Sequence, residues 1–222
     1  MRMDKAALLA LIGRINTREE HFTDSRETTS WKALREAEGL SDPALFPLLR
    51  EIVTENEGKS KEKRELRRAA YFIYGRLMER AFSPAEAPFF LERLTVETDK
   101  YVLSSILDRV SDWGRRGLLL PGEMDFSPVL ALTVDERRPV RHDALRALSA
   151  CPGEASRRAC IFYLEQEDEK TYQYEIYYAN IALQSIGEPA DIPLLERFLK
   201  SRRPDLKLTA KYAIQYIRER EA

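Results

Sequence analysis

The chain is short of most residues that catalysis or cross-linking uses. It has two cysteines and two histidines in 222 residues. Cys151 and Cys160 are too few for a disulfide framework and read as free thiols buried in neighbouring helices. His21 and His142 stand without an HExxH pair or a cysteine cluster, so no metal site is expected. An excess of one charge is missing too: 36 Lys and Arg face 37 Asp and Glu, a formal net charge of -1. A protein that neutralises many phosphates carries a large positive excess, so a nucleic-acid partner is not expected. No run approaches the length of a membrane span. The apolar stretch near the N-terminus is short, interrupted by Arg14, and lacks a small-residue cleavage pattern. The expected location is the cytoplasm, with no membrane contact. Glycines are few and fall at turns, among them Gly39, Gly58, Gly114, Gly122, Gly153 and Gly187. No alternating valine- or isoleucine-rich strands lie between them.

What the sequence does contain is a recurring phrase. Residues 43–49 read PALFPLL, residues 84–90 PAEAPFF and residues 189–195 PADIPLL. Proline lacks an N–H and has a fixed φ, so it is tolerated in the first turn of a helix. Each phrase follows a residue able to cap (Asp42, Ser83, Glu188) and leads into an apolar pattern at helical spacing. Ser127-Pro128 and Pro152-Gly153-Glu154 are degenerate copies. A second helix follows each first one, as in VRHDALRAL at 140–148, LKLTAKYAI at 206–214 and LRRAAYFIY at 66–74. These second helices begin near 66, 99, 140, 175 and 206, a period of roughly 31 to 41 residues, within the range of helical-repeat proteins.

An opening of the form Asp-Pro-x-Ala-x-Pro-x-Leu, followed by Val-Arg-x-x-Ala-x-x-Ala-Leu-x-x-Ile-Gly, resembles the HEAT-like repeats of the phycobilisome-lyase type. About five copies cover residues 41–220; GEPADIPLLERFLKSRRPDLKLTAKYAI matches best. The resemblance implies an all-α, right-handed α-α superhelix, a HEAT-like solenoid of about five helix pairs. It implies a tendency to bind macromolecules and carries no catalytic residue. With 44% hydrophobic and 33% charged residues, the chain suits one thin continuous core under a solvated helical surface. Residues 1–222 are expected to form a single domain. Residues 1–40, with helices over Ala6 to Ile12 and Trp31 to Ala37, form an N-terminal cap, and residues 41–222 form the repeats. The uneven spacing, with Leu118-Leu119-Leu120-Pro121-Gly122, predicts an irregular excursion over 114–126.

Readable chemistry is sparse, and no catalytic residue or cofactor is assigned. Glu57-Gly58-Lys59-Ser60 ends like a phosphate-binding loop, but Val53 stands where the leading glycine belongs and a helix, not a strand, precedes it. Glu165, Glu167, Asp168 and Glu169 form an acidic run without calcium-loop spacing. Some DNA glycosylases built from HEAT-like repeats use an acidic residue among tryptophans, which makes Asp108, Asp112 and Trp113 the residues of an alternative enzymatic reading. A lyase-like or chromophore-handling factor is the other. Arg67, Lys100, Arg141 and Lys207 occupy equivalent places and are expected to form a ladder with nearby Glu65, Asp99, Asp135 and Asp205.

Helix phase gives the functional expectation. Numbered from its first patterned residue, each second helix places positions 1, 5, 8, 9 and 12 on its core side at about 100° per residue. Positions 3, 7 and 10 face away, onto the concave surface of such a solenoid. They include Arg68, Phe72 and Tyr101 in the first two copies and His142 and Arg146 in the third. Tyr177 and Ile181 follow in the fourth, and Leu208 and Tyr212 in the fifth. Aromatic and apolar residues beside cations, where a solvated face would show Lys, Glu and Gln, suit a protein or peptide partner. The competing expectation is that these side chains pack on one another.

Overall fold

The doubled prolines start helices because each falls where an N–H would have no partner. In the computed structural model, which describes residues 3–221, Pro47 is in the first turn of α3 (Leu45–Glu55), Pro88 in that of α5 (Ala87–Val96) and Pro193 in that of α11 (Ile192–Glu196). The capping is uneven. Asp42 accepts from the Ala44 N–H at 2.9 Å, and Glu188 forms a reciprocal capping box with Asp191. Ser83 makes no side-chain cap, contrary to expectation. The degenerate copies open α7 (Ser127–Leu132) and α9 (Glu154–Leu164).

The second helices are α4 (Lys61–Arg80), α6 (Lys100–Arg115), α8 (Arg138–Ala147), α10 (Gln173–Ile186) and α12 (Pro204–Glu221). Each packs on the next in chain order, and more extensively than the first helices pack on one another. The second helices thus form the tighter layer of a two-layer solenoid. Two short helices, α1 (Lys5–Ile15) and α2 (Thr29–Glu38), pack on each other and on α4, closing the N-terminal end. No strand occurs among the described residues, and none of their helices is long and apolar enough to cross a membrane.

One contiguous apolar cluster runs from Leu8 to Ile217. The helix phase accounts for it. Ala70, Ile73, Tyr74 and Leu77 of α4, Leu103, Ile106, Leu107 and Val110 of α6, and Leu206, Ala210, Ala213, Ile214 and Ile217 of α12 are all buried. The excursion after α6 is anchored: Leu120 is buried, and its N–H donates to the Ala150 carbonyl at 2.9 Å. Cys151 and Cys160 are buried free thiols, and burial raises the pKa of both.

The cationic ladder exists, but with other partners. Arg67 reaches Glu97 with Nε–Oε1 2.7 Å and Nη2–Oε2 2.8 Å, not Glu65, which pairs with Arg18. Its Nη1 donates to the carbonyls of Asn56 and Gly58. Arg141 repeats the pattern one rung on: it donates to Glu175 at 2.6 and 2.9 Å and to the Asp135 carbonyl. In each case an arginine ties its own inter-helix loop to the start of the second helix of the next repeat. Asp99, Asp135 and Asp205 pair instead with Arg64, Arg137 and Arg203. Lys100 and Lys207 are exposed. Lys100 lies over the Tyr101 ring, and α12, which carries Lys207, has no later repeat helix to bridge among the described residues.

Candidate partner-binding face

The expected face is built from the solvent side of the second helices, and none of its nine residues is in the core. Arg68, Tyr101, Leu208 and Tyr212 are exposed; Phe72, His142, Arg146, Tyr177 and Ile181 are half-buried. They do not stand as independent anchors, because side chains from adjacent second helices contact each other across the surface. Tyr101 is 57% exposed and carries the Arg68 guanidinium at 5.8 Å and the Lys100 ammonium at 5.0 Å from its ring centre. Phe72 lies between the guanidiniums of Arg76 and Arg109, at 5.4 and 5.5 Å. It is thereby covered, a cation–π packing arrangement.

In the middle of the face, Arg146 pairs with Asp108 of α6 and Asp143 of its own helix, and its guanidinium sits 6.0 Å from the Tyr178 ring. His142 packs against Tyr174 and Tyr178 with ring centres 5.7 and 5.3 Å away, and its Nε2 lies 3.3 Å from Glu175. Burial pushes the His142 pKa down, against the pull of Glu175, and net it lies below the usual histidine range. Burial also raises Asp143, although Ser104 donates a hydrogen bond to it. At the C-terminal end, Tyr212 stacks near Tyr216 at 6.4 Å. Ile181 lines a cavity of about 420 Å³ with Tyr216, Gln184 and Ser149.

Two outward positions do not behave as the phase predicts. Gly75 and Ser149 are buried, because helices cross closely there. A Cβ on Gly75 would sit 2.3 Å from Arg109 Cγ, and one on Gly114 would sit 2.3 Å from Ser149 Oγ. The sequence reading missed Tyr174, Tyr178 and Tyr216, which a count of aromatics per second helix would have found. It also missed Arg76 and Arg109, which lie one or more positions off the outward phase.

The residues singled out for chemistry take part in structural contacts. Trp113 is fully buried and donates from Nε1 to the Gly75 carbonyl at 3.3 Å. Asp112 is buried among Arg109, Arg115 and Arg76, and the partly exposed Asp108 pairs with Arg146. Around Glu57–Ser60 the backbone carbonyls are engaged by cations: those of Asn56 and Gly58 accept from Arg67, and that of Glu57 from Lys63. No group of three or more metal-ligating side chains assembles among the described residues.

No family model and no curated protein matches the sequence. Solved structures do resemble it. Two engineered proteins superpose with a TM-score of 0.54 each, at 17% and 15% identity, over 96% of this chain and 96% and 98% of theirs. A designed armadillo repeat protein superposes with a TM-score of 0.50 at 15% identity, over 95% of this chain and 99% of its own. At such identities the likeness shows the fold: a helical-repeat solenoid.

Proposed function

We propose that this chain is a non-enzymatic, HEAT-like scaffold that binds a protein or peptide along the solvent face of its second helices, working as one domain. The observation that carries this reading is the distribution of tyrosine. Four tyrosines are exposed (Tyr101, Tyr174, Tyr212 and Tyr216), and all four are on second helices. Tyrosine offers a large rigid contact surface with a polar tip and is enriched at binding hot spots. Leu208 extends the apolar part, while Arg68, His142 and Arg146 supply polar and cationic groups beside it. That mixture suits an amphipathic or acidic segment better than a nucleic-acid backbone, which needs many more cations. The contiguous core supports the one-domain reading, since repeats that share a core move as a unit. The resemblance to phycobilisome-lyase repeats supports the scaffold and supplies no catalytic side chain. The test is a paired pull-down from the native host with the wild-type chain and a Tyr177→Ala/Tyr212→Ala variant as baits. A partner retained by the first and lost by the folded second supports the reading; identical recovery refutes it.

A further inference from the structure

A dense cluster of charge lies where the C-terminal turns of α2, α4 and α6 converge, beside Phe72 of the face. A cavity of about 660 Å³ opens there, lined by Arg35, Glu38, Arg76, Glu79, Arg80 and Arg116. A second, of about 320 Å³, shares Arg76 and Arg116 with it and adds Asp112 and Arg115. Arg109, outside the lining itself, pairs with Asp112, with Nη1–Oδ2 2.8 Å. Six guanidiniums therefore share three carboxylates. Glu79 alone serves Arg76 and Arg116, each at 2.8 Å, and Asp112 serves both Arg109 and Arg115. The next carboxylate along α6, Asp108, is held by Arg146. The local excess is three positive charges in a chain whose net charge is -1.

Packing explains part of this. Arg80 donates from Nε to the Glu38 carbonyl at 2.5 Å, a cation satisfying the C-terminus of α2. It does not explain the rest. Arg76 Nε is buried without a hydrogen bond, its nearest carboxylate oxygen on Glu38 being 3.9 Å away; the buried Arg109 Nη1 has Asp112 at 2.8 Å but makes no well-aligned hydrogen bond to it. Buried donors normally have acceptors. Burial, and after it the neighbouring Arg76, push the Arg109 pKa down to about 10, the first as for any buried cation and the second as between like charges. Glu38 and Glu79 in the wall, and a chain net charge of -1, suit a compact anion better than a polynucleotide.

We propose that this pocket binds a phosphoryl group. A dianion with three terminal oxygens offers what the site lacks, namely compact negative charge and several acceptors within reach of planar guanidinium forks. A cavity of this size falls in the range of small-ligand sites and admits more than the bare ion. The group can come from a free phosphorylated metabolite or from a phosphorylated side chain on a protein partner. The pocket adjoins the face, since Arg76 and Arg109 pack on Phe72, but the proposal needs no partner bound there.

The experiment is isothermal titration of the full chain, in low-chloride buffer, with three probes: inorganic phosphate, a phosphoserine peptide and the same peptide unphosphorylated. Saturable one-site binding is expected for the first two and not for the third. Tighter binding of the peptide than of phosphate identifies a protein source, and equal binding a small-molecule source. Arg116→Gln should weaken binding about tenfold or more, the size of one lost charge-assisted contact. Glu79→Gln should tighten it, because it releases two guanidiniums. Arg158→Gln, exposed on α9, should change nothing. Should Arg76→Gln unfold the protein by circular dichroism, the exposed Arg116 still decides the matter. Absence of saturable phosphate binding overturns the proposal. So does binding unchanged in Arg116→Gln, or equal weakening by Arg158→Gln, which would mark diffuse attraction.

Discussion

Arg67 of α4 and Glu97, three residues before α6, meet in a two-point ion pair across 30 positions of sequence. The side chains are only 4% and 3% exposed. Glu97 is also reached by the Tyr71 hydroxyl at 3.2 Å, and Arg67 uses its remaining Nη on loop carbonyls. The pair is therefore a satisfied buried network joining two repeats, not a surface contact. Removing Glu97 leaves Arg67 as an uncompensated buried charge, and removing Arg67 leaves Glu97 only the more distant Arg93, at 4.0 Å, and the Tyr71 hydroxyl. Arg67→Ala and Glu97→Ala should each cost ~3–5 kcal/mol, read as a drop in the urea midpoint. The Arg67→Ala/Glu97→Ala double variant should lose less than the sum. A loss under about 1 kcal/mol, the size typical of exposed pairs, would contradict the network.

Tyr177→Ala and Tyr212→Ala should each weaken partner binding by more than about 1 kcal/mol, while the thermal midpoint stays near that of the wild type. Tyr212 is 41% exposed, and the half-buried Tyr177 packs edge-on against Tyr178 at the margin of the core. Normal binding by both variants, measured by titration with the captured partner, would remove the face from consideration.

Gly114→Ala should destabilise the protein although alanine is the better helix former by ~1 kcal/mol. The new methyl would lie 2.3 Å from Ser149 Oγ, 2.5 Å from the Ser149 carbonyl carbon and 2.7 Å from the Ala150 nitrogen. Two of these atoms are backbone and cannot swing aside, so α6 must separate from the end of α8. Overpacking of this kind costs ~1–3 kcal/mol or more. A raised melting temperature would show that the crossing is looser than described.

Stability should fall as the pH drops, in two stages. His142 is held below its ordinary pKa because burial penalises the imidazolium and Arg141 adds to the penalty, outweighing Glu175 and Asp143. A depressed folded pKa means the unfolded chain takes up the proton first, so this contribution is present above about pH 6.5 and is lost as pH falls through the folded value. Glu175 and Asp99 follow at lower pH. Burial alone would raise both, but Arg141 donating to Glu175, and Arg64 with the Tyr101 and Val102 N–H groups donating to Asp99, bring them below the carboxylate range. Asp143, raised by burial, has the opposite sign: it favours folding at low pH and loses that contribution as pH rises. Urea midpoints should decline from pH 7 to 5 and again below pH 4. His142→Gln should flatten the first decline; an unchanged slope in that variant would assign it elsewhere.

The sequence by itself determined the elements and their faces. Proline placement and apolar spacing are local properties, so the helix starts, the five pairs and the buried stripes of α4, α6, α8, α10 and α12 could be read from them. The nine face residues are all outside the core for the same reason: a helix of 3.6 residues per turn fixes which side a position occupies. Contacts between repeats are not local, and only the tertiary structure decided them. Arg67 had Glu65 two residues away, yet residues two apart on a helix point in different directions, and the stacking of repeats brought Glu97 to it instead. Gly75 and Ser149 have outward phase but are buried, because the outward direction of one helix becomes a contact where its neighbour crosses closely. The arginine pocket is the extreme case. Arg35, Arg76 and Arg116 belong to three separate stretches, and their shared field exists only because the C-terminal turns of α2, α4 and α6 end at one place.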